Sequence, residues 1–263
     1  MTEPATLHHT ALGDHGSPIV FCHGLFGQGR NWTQIGKALA GDHRVTLLDL
    51  PHHGRSPWAP HFDFLAIADS VADLLSADDP VTLVGHSMGG KVAMLVALRH
   101  PSLVDRLCVV DVSPVDYGAG SEFAAYIAAM QELDLAALEQ RADADAALTE
   151  AVPHPTVRGF LLQNLRREHD GWRWQVNLDV LGSDLAKVSG WPEDELDGVS
   201  PYPGRVLWMA GARSSYVQDD YAAAMDRWFP RNRRVVVKDA GHWVHSEQPE
   251  VFVEVLRRFV ENG

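Results

Sequence analysis

Residues 80–100, PVTLVGHSMGGKVAMLVALRH, join a short apolar run, a glycine-rich turn and a stretch of helical periodicity. Residues 81–84 have the aliphatic and β-branched character of a buried strand. Residues 92–99 place apolar side chains at helical spacing. Between them stands Gly85-His86-Ser87-Met88-Gly89, which matches the G-x-S-x-G pattern of a strand, a sharp turn and a helix with serine at the apex.

The turn at Ser87 predicts a hydroxyl held clear of the backbone at the start of a helix. Gly85 and Gly89 are expected because a Cβ at either position would collide with the neighbouring strand and helix. The backbone N–H of Met88 would then point to the place where an oxyanion forms. A plainer interpretation is a glycine-rich connection whose serine only caps the helix. The rest of the chain favours a nucleophile.

Size and composition limit the classes of protein that this chain can be. Its 263 residues, 46% of them hydrophobic, suffice for one large α/β core with or without a lid. The formal net charge of −13 disfavours nucleic acid and anionic membrane surfaces as partners. Cys22 and Cys108 lie in apolar strand-like runs and are expected as buried, unpaired thiols of a reducing compartment.

The sequence predicts no targeting or membrane-spanning segment. Residues 1–10 have neither a basic region nor an apolar core, so no signal peptide is expected. No apolar run approaches the length of a membrane span. These features predict a soluble, cytoplasmic protein, and they set no oligomeric state.

Strand-like and helix-like segments alternate over most of the chain, which predicts a mainly parallel sheet covered on both faces. Strands are expected over residues 6–12, 19–22, 45–48, 81–84, 103–110, 205–210 and 234–237. Between residues 115 and 199 the pattern is helix-rich and aromatic, which predicts a cap over the carboxyl ends of the strands. The expected division is therefore a core of residues 1–114 and 200–263, and a helical cap of residues 115–199.

Histidines supply the candidate base. A serine hydroxyl needs a neutral imidazole to take its proton, and a carboxylate to orient that imidazole. His242 follows the last strand in a Gly-His turn and is the candidate. His86 should point away from the serine and pack, and His245 should pack near the mouth of the site. The pair His52-His53 lacks a third metal ligand at useful spacing, so both are interpreted as solvated loop residues.

A second glycine-rich loop follows the second strand. It reads His23-Gly24-Leu25-Phe26-Gly27. Such a loop after a central strand can direct backbone N–H groups inward, as an oxyanion hole requires. Leu25 is the expected second donor beside Met88, with Phe26 as the alternative.

In this order, the motifs resemble those of the α/β-hydrolase family over essentially the whole chain outside the cap. The matching stretches are His23-Gly24, Asp49…Gly54-Arg55-Ser56, Gly85 to Gly90 and Gly241-His242. The resemblance implies the α/β-hydrolase fold, a mostly parallel central sheet covered by helices, with the cap inserted after the sixth strand. It also implies an acid in a G-x-x-D-x-x-V pattern after strand 206–209. Here residues 211–217 read GARSSYV, and Ser214 stands at the aspartate's position.

A subfamily of small esterases, the YbfF-like esterases, is similar in carrying the acid one strand earlier. This chain has Val109-Val110-Asp111-Val112 at that place. The likeness extends to residues 31–32 (NW), 53–57 (HGRSP), 174–178 (WQVNL) and 241–245 (GHWVH). The resemblance therefore assigns Asp111 as the acid beside Ser87 and His242. Asp219 or Asp220, at the start of a later helix, is the alternative.

Together these features predict a serine carboxylic-ester hydrolase that forms an acyl-enzyme and needs no metal or organic cofactor. Its expected substrates are small to medium, largely apolar esters. The absence of a basic cluster around the motifs disfavours strongly anionic acyl groups, and the Trp and Phe residues of the cap favour an apolar acyl or alcohol part. Aromatic residues are the expected substrate contacts: Phe26, Phe123, Tyr126, Phe160, Trp174, Tyr216 and Trp243. Ser87, His242 and Asp111 would also serve a thioesterase, a C–C bond hydrolase or a perhydrolase. A ligand sensor with slow turnover is the alternative from another class.

Overall fold

A seven-stranded sheet forms the centre of the fold in the computed structural model, which describes residues 6–118 and 122–261. The strands in chain order are β1 (His9–Leu12), β2 (Pro18–Cys22), β3 (Arg44–Leu48), β4 (Val81–His86), β5 (Val104–Val110), β6 (Leu165–Glu168), β7 (Gly171–Trp174), β8 (Arg205–Gly211) and β9 (Asn232–Val237). The order across the large sheet is β1-β3-β2-β4-β5-β8-β9, whereas β6 and β7 form a separate hairpin. Only β1 is antiparallel to its neighbour in the large sheet, so the expected mainly parallel α/β sheet is confirmed.

Helices cover both faces of this sheet. In chain order they are α1 (Thr33–Leu39), α2 (Phe64–Ala72), α3 (Met88–Arg99), α4 (Glu122–Glu132), α5 (Arg141–Ala147), α6 (Pro155–Leu162), α7 (Leu178–Ser183), α8 (Leu185–Ser189), α9 (Ala222–Trp228), α10 (Val244–Glu247) and α11 (Pro249–Glu261). Alternate residues of β2 belong to two different cores, because successive side chains of a strand point to opposite faces. Val20 and Cys22 pack with α2, α3 and α9, while Ile19 and Phe21 pack with α1 and α11.

The loops that carry the predicted site residues all leave the same edge of the sheet. Parallel strands present their carboxyl ends together, and open α/β sheets bind ligands there. Residues 23–27 follow β2, Ser87 follows β4, Asp111 follows β5 and His242 follows β9. The topology alone therefore places these four segments near one another.

A long insertion separates β5 from β8. It contains α4 to α8 and the β6–β7 hairpin. It follows β5, the fifth strand of the chain, and not the expected sixth strand, because only one strand, the antiparallel β1, precedes the parallel strands of the large sheet. The hairpin of β6 and β7 was not predicted. Its two turn residues are His169 and Asp170, and Gly171, the first residue of β7, adopts a positive φ of 134°, which favours glycine. Of the expected domain limits, the two outer ones, residues 1 and 263, lie outside the described residues, as do residues 119–121 of the expected cap.

Residues 175–177 of the insertion bind the loop after β3. The N–H of Gly54 donates to the carbonyl of Gln175 at 2.7 Å, and the N–H of Asn177 donates to the carbonyl of His52 at 2.9 Å. His53 and Val176 form an isolated β-bridge between these two segments. The insertion is therefore fixed to the core by backbone pairing, beside the expected site.

Lys91 makes a second connection between the insertion and the core. It lies on α3, is only 2% exposed, and its Nζ donates to the carbonyls of Ser189 and Gly190 at 2.6 and 2.5 Å. These carbonyls end α8, where a cation complements the helix dipole. Burial lowers the pKa of Lys91 from 10.5 to about 7.

Among the described residues, no helix has both the length and the apolarity to cross a membrane. Cys22 and Cys108 are buried and free, as expected.

We expect Lys91→Met to change how stability depends on pH. Between the folded pKa of about 7 and the unfolded value of 10.5, the unfolded chain binds more protons at this residue, so stability from Lys91 rises with pH. The free energy of unfolding of the wild type minus that of the variant should therefore increase from pH 7 to 9.5, as measured by urea unfolding. Lys37→Met, at an exposed lysine of α1, is the control and should show no such trend. A flat or falling difference for Lys91→Met would contradict the assignment.

Candidate active site

Ser87 stands at the apex of a strained turn between β4 and α3. Its φ of 52° and ψ of −121° are unusual for a residue with a side chain. The glycines that flank it are required sterically: a Cβ on Gly85 would lie 2.2 Å from the carbonyl oxygen of Gly89. A Cβ on Gly89 would lie 2.3 Å from the carbonyl oxygen of His23. The expected collision with neighbouring backbone is confirmed, and the turn leaves Ser87 partly exposed.

Asp111 and His242 meet beside this turn. The carboxylate of Asp111 is completely buried, and its Oδ2 lies 2.8 Å from Nδ1 of His242. The N–H of Gly211 donates to Oδ1 at 3.0 Å, and the hydroxyl of Ser214 donates to Oδ2. Because a carboxylate only accepts, Nδ1 of His242 must carry the hydrogen. The lone pair of a neutral His242 is then on Nε2.

Asp219 and Asp220 lie away from His242. Asp219 is fully exposed and forms an ion pair with Arg234 at 3.0 Å, and Asp220 is exposed as well. Ser214 occupies the position of the usual acid and contacts Asp111 instead. The structure therefore brings Asp111 to the histidine, as the resemblance implied, and not the alternative carboxylates.

His242 is held from two further sides. The ring of Tyr216 packs on it at a centroid distance of 4.3 Å. Nε2 of His86 donates to the backbone carbonyl of His242 at 2.9 Å, and their rings lie 4.7 Å apart. Burial lowers the pKa of His86 well below its usual value, so this neighbour is neutral and adds no charge beside His242. His86 therefore packs, as expected, but against the base rather than away from the site.

Ser87 and His242 line the same cavity. Within the described part of the chain no hydrogen bond joins the Ser87 hydroxyl to His242. Such contacts are often long in an enzyme without substrate and shorten when substrate binds.

The loop 23–27 is held by two buried histidines. His53 Nδ1 donates to the carbonyl of Pro51 at 2.9 Å, and its Nε2 accepts the N–H of Phe26 at 3.2 Å. His23 Nδ1 donates to the carbonyl of Gly24 at 2.8 Å, and its Nε2 accepts the N–H of Leu50 at 2.9 Å. Each ring thus donates once and accepts once, which only a neutral imidazole can do. Burial lowers the pKa of His53 to about 3 and that of His23 to about 4, in agreement with this pattern.

These contacts correct one prediction and separate two candidates for the oxyanion donor. His52 and His53 are buried, 1% and 0% exposed, rather than solvated, because the insertion covers their loop. Phe26 uses its N–H on His53, whereas the N–H of Leu25 has no acceptor among the described residues. Leu25 is therefore the better candidate of the two.

Asn164 connects the insertion to the same loop. It is completely buried, its Nδ2 donates to the carbonyl of Phe26 at 2.7 Å, and its Oδ1 accepts from Gln28 at 2.6 Å. Sequence reasoning missed both Asn164 and the function of His53. A buried polar residue next to a hairpin leaves no pattern in the sequence, since the partners of Asn164 in the loop, Phe26 and Gln28, lie more than one hundred residues away.

The cavity that holds Ser87 is small and mostly aromatic. Its volume is about 20 Å³, close to the space that one water molecule needs. The predicted residues that line it are Leu25, Phe26, Ser87, Phe123, Tyr126, Phe160, His242 and Trp243. His86, Val157 and Leu161 complete the wall. An ester can enter only if this wall moves.

Two of the predicted substrate contacts do not line the cavity. The indole N–H of Trp174 donates to the carbonyl of Met130 at 3.0 Å, so this side chain packs inside the insertion. Tyr216 packs on His242, and its carbonyl accepts the hydroxyls of Ser113 and Tyr117 at 3.0 and 2.6 Å. Tyr216 therefore contacts the ring of His242 from outside the cavity.

Comparisons with known proteins identify the family and the fold. The sequence model of a family described as alpha/beta hydrolase fold matches residues 17–249. The sn-1-specific diacylglycerol lipase ABHD11 of Mus musculus is 38% identical over 98% of this chain and 86% of its own length. Esterase YbfF of Escherichia coli (strain K12) is 33% identical over 96% of this chain and 97% of its own. A solved structure described as a marine microorganism esterase superposes with a TM-score of 0.92 at 30% identity, covering 97% of this chain and 100% of that one.

Phe160 of α6 and Trp243 contact each other at a centroid distance of 6.0 Å and close the cavity on one side. We expect Phe160→Ala to open it. The rate of labelling by a bulky serine-reactive phosphonate, divided by the rate for a small one, should then be higher in the variant than in the wild type. Mass spectrometry follows both rates. Trp58→Ala, at an exposed aromatic residue outside the cavity, is the control and should leave the ratio of rates unchanged. An unchanged ratio in Phe160→Ala would show that this side chain does not limit access.

Proposed function

We propose that this chain, which belongs to the α/β-hydrolase fold family and is a hydrolase, acts on carboxylic esters through an acyl-enzyme on Ser87. The observation that carries the proposal is the 2.8 Å contact between His242 Nδ1 and the buried Asp111, beside the cavity that contains Ser87. The names of the two relatives, an esterase and a lipase, support the choice of esters. Core residues 1–114 and 200–263 and cap residues 115–199 are the domains of this proposal, and a cytoplasmic location is part of it.

In the first step Ser87 Oγ attacks the ester carbonyl carbon, and its proton passes to Nε2 of His242. Asp111 fixes the hydrogen on Nδ1 and stabilises the imidazolium that forms. The backbone N–H groups of Leu25 and Met88 donate to the oxyanion, and each such donor contributes about 3 kcal/mol in comparable sites.

In the second step the imidazolium gives its proton to the leaving alcohol, and the C–O bond to that alcohol breaks. A water molecule then attacks the acyl-enzyme while His242 takes one of its protons. The tetrahedral intermediate collapses, Ser87 Oγ regains the proton, and the carboxylic acid leaves. The apolar wall of Phe26, Phe123 and Phe160 favours an apolar group next to the reacting carbonyl.

A panel of para-nitrophenyl esters of increasing acyl length tests this proposal against its alternatives. We expect sustained multiple turnover with short to medium acyl groups. A single slow burst, equal in amount to the protein, would instead indicate a ligand sensor. Faster turnover of the matching thioesters, C–C bonded substrates or peracid formation would identify one of the other chemistries available to the same residues.

Ser87→Ala should reduce ester turnover at least about a thousandfold, because the attacking oxygen is removed. The thermal unfolding midpoint should remain close to that of the wild type, since Ser87 makes no side-chain hydrogen bond that holds the turn. Turnover near the wild-type rate in a folded Ser87→Ala protein would end the proposal.

Asp111→Asn should reduce kcat by about ten-thousand-fold, as in other triads, because the amide no longer fixes the hydrogen on Nδ1. Asp219→Asn is the matched control and should retain wild-type kcat, since Asp219 is exposed and paired with Arg234. Urea unfolding of both variants separates loss of activity from loss of folding. A folded Asp111→Asn protein that keeps most of its activity would remove Asp111 from the mechanism.

A further inference from the structure

A wide groove adjoins the small cavity on its outer side. Its volume is about 1050 Å³, and Val157, Phe160 and Trp243 line both the groove and the cavity. The Phe160–Trp243 contact therefore separates the two spaces. Any group of a substrate that extends outward past this contact enters the groove.

Three arginines line the groove, and they come from distant parts of the chain: Arg30, Arg141 and Arg166. Among the described residues none of the three forms an ion pair with a carboxylate. This is unexpected on electrostatic grounds in a protein with 35 acidic and 22 basic residues.

Neutral acceptors hold each arginine in place. Arg30 donates to the carbonyl of Gln163. Arg141 donates to the carbonyls of Leu162 and Leu165, the latter at 2.7 Å. These carbonyls lie at or just after the end of α6, so the guanidinium groups also complement its dipole.

Arg166 is held by the side chain of another residue instead of by backbone carbonyls. Its Nε donates to Oε1 of Gln175 at 3.0 Å. A guanidinium has five N–H donors in a planar fork, and the two terminal nitrogens of Arg166 are not used by that contact. A fork of this kind matches the oxygens of a carboxylate or a phosphate.

The other titratable groups of the groove do not cancel this charge. Glu247 is the carboxylate of the lining, and it already binds Arg213 and the N–H of Gly241, each at 2.9 Å. Burial lowers the pKa of His245 to about 3, so this ring is neutral, and it stacks on Trp32. His154 is the remaining titratable residue of the lining.

We propose that the groove lined by Arg30, Arg141 and Arg166 is a subsite for an anionic group, a carboxylate or a phosphate, carried by the ester substrate. The apolar part of such a substrate occupies the cavity next to Ser87, and its charged end reaches past Phe160 and Trp243. This inference rests on the proposed esterase function. It keeps the expectation of a largely apolar ester and adds an anionic group, which the sequence alone disfavoured.

Two matched pairs of esters test the subsite on the full chain. The first pair is para-nitrophenyl hexanoate and the mono-para-nitrophenyl ester of adipic acid, which carries a carboxylate at the far end of the acyl group. The second pair is monooctanoylglycerol and its phosphate, which carries the charge on the alcohol. The pair that shows a preference identifies the chemistry of the anion and the side of the ester on which it lies.

We expect kcat/KM of the anionic member of at least one pair to exceed that of the neutral member by about tenfold or more, the usual effect of a charge-assisted hydrogen bond. Arg166→Gln should remove most of this preference and leave kcat/KM of the neutral ester nearly unchanged, because Arg166 binds Gln175 and not the end of α6. Arg30→Gln should also remove most of the preference. Added salt should weaken the preference as well.

Arg173→Gln is the matched control for the net charge. Arg173 lies on the same hairpin as Arg166, pairs with Glu168 at 2.6 Å and does not line the groove. It should keep the preference.

Turnover of the neutral esters without any anionic preference would overturn the subsite but not the esterase function. An equal loss in Arg173→Gln would also overturn it, because the effect would then follow net charge. If the protein hydrolyses none of the four esters, both proposals are overturned.

Discussion

The burial of the Asp111 carboxylate constrains the arrangement of the whole site. A carboxylate without solvent contact is stable only if hydrogen bonds replace its water. Its three donors are Gly211 at the end of β8, Ser214 just after β8, and His242 after β9. These segments must therefore converge on the end of β5. The position of His242 beside the turn of Ser87 follows from that convergence, because β4 and β5 are neighbours in the sheet.

A second set of buried polar contacts fixes the loop that faces Ser87. His23 and His53 serve this loop only as neutral rings, and their burial keeps them neutral. Asn164 and the backbone of residues 175–177 bind the same region from the insertion. The loop that carries Leu25 is thus held from the core on one side and from the insertion on the other. The insertion is therefore part of the structural support of the site as well as its cover.

The sequence predicted those parts of the molecule that local patterns determine. The strand–turn–helix at Ser87 depends on glycines adjacent in the chain, and the resemblance to the YbfF-like esterases was enough to select Asp111 over Asp219. The β6–β7 hairpin was missed because its strands have only four residues each and its turn residues, His169 and Asp170, are not a strong hairpin signal. The packing of Trp174 was missed because its partner Met130 lies 44 residues away. The burial of His53 was missed for the same reason: residues 175–177 cover it, and nothing near His53 indicates this. The three groove arginines lie up to 136 positions apart, so no basic cluster was visible in the sequence.

Helix α6 belongs to both spaces in front of Ser87. Val157 and Phe160 on this helix close the small cavity, and the carbonyls at its end bind Arg30 and Arg141. A displacement of α6 that admits an ester must therefore also move the acceptors that hold these arginines. An anion bound in the groove would interact differently with the closed and the displaced positions of the helix, and a ligand shifts an equilibrium only by such a difference. A displacement of α6 would therefore link the binding of the charged end of a substrate to the opening of the cavity.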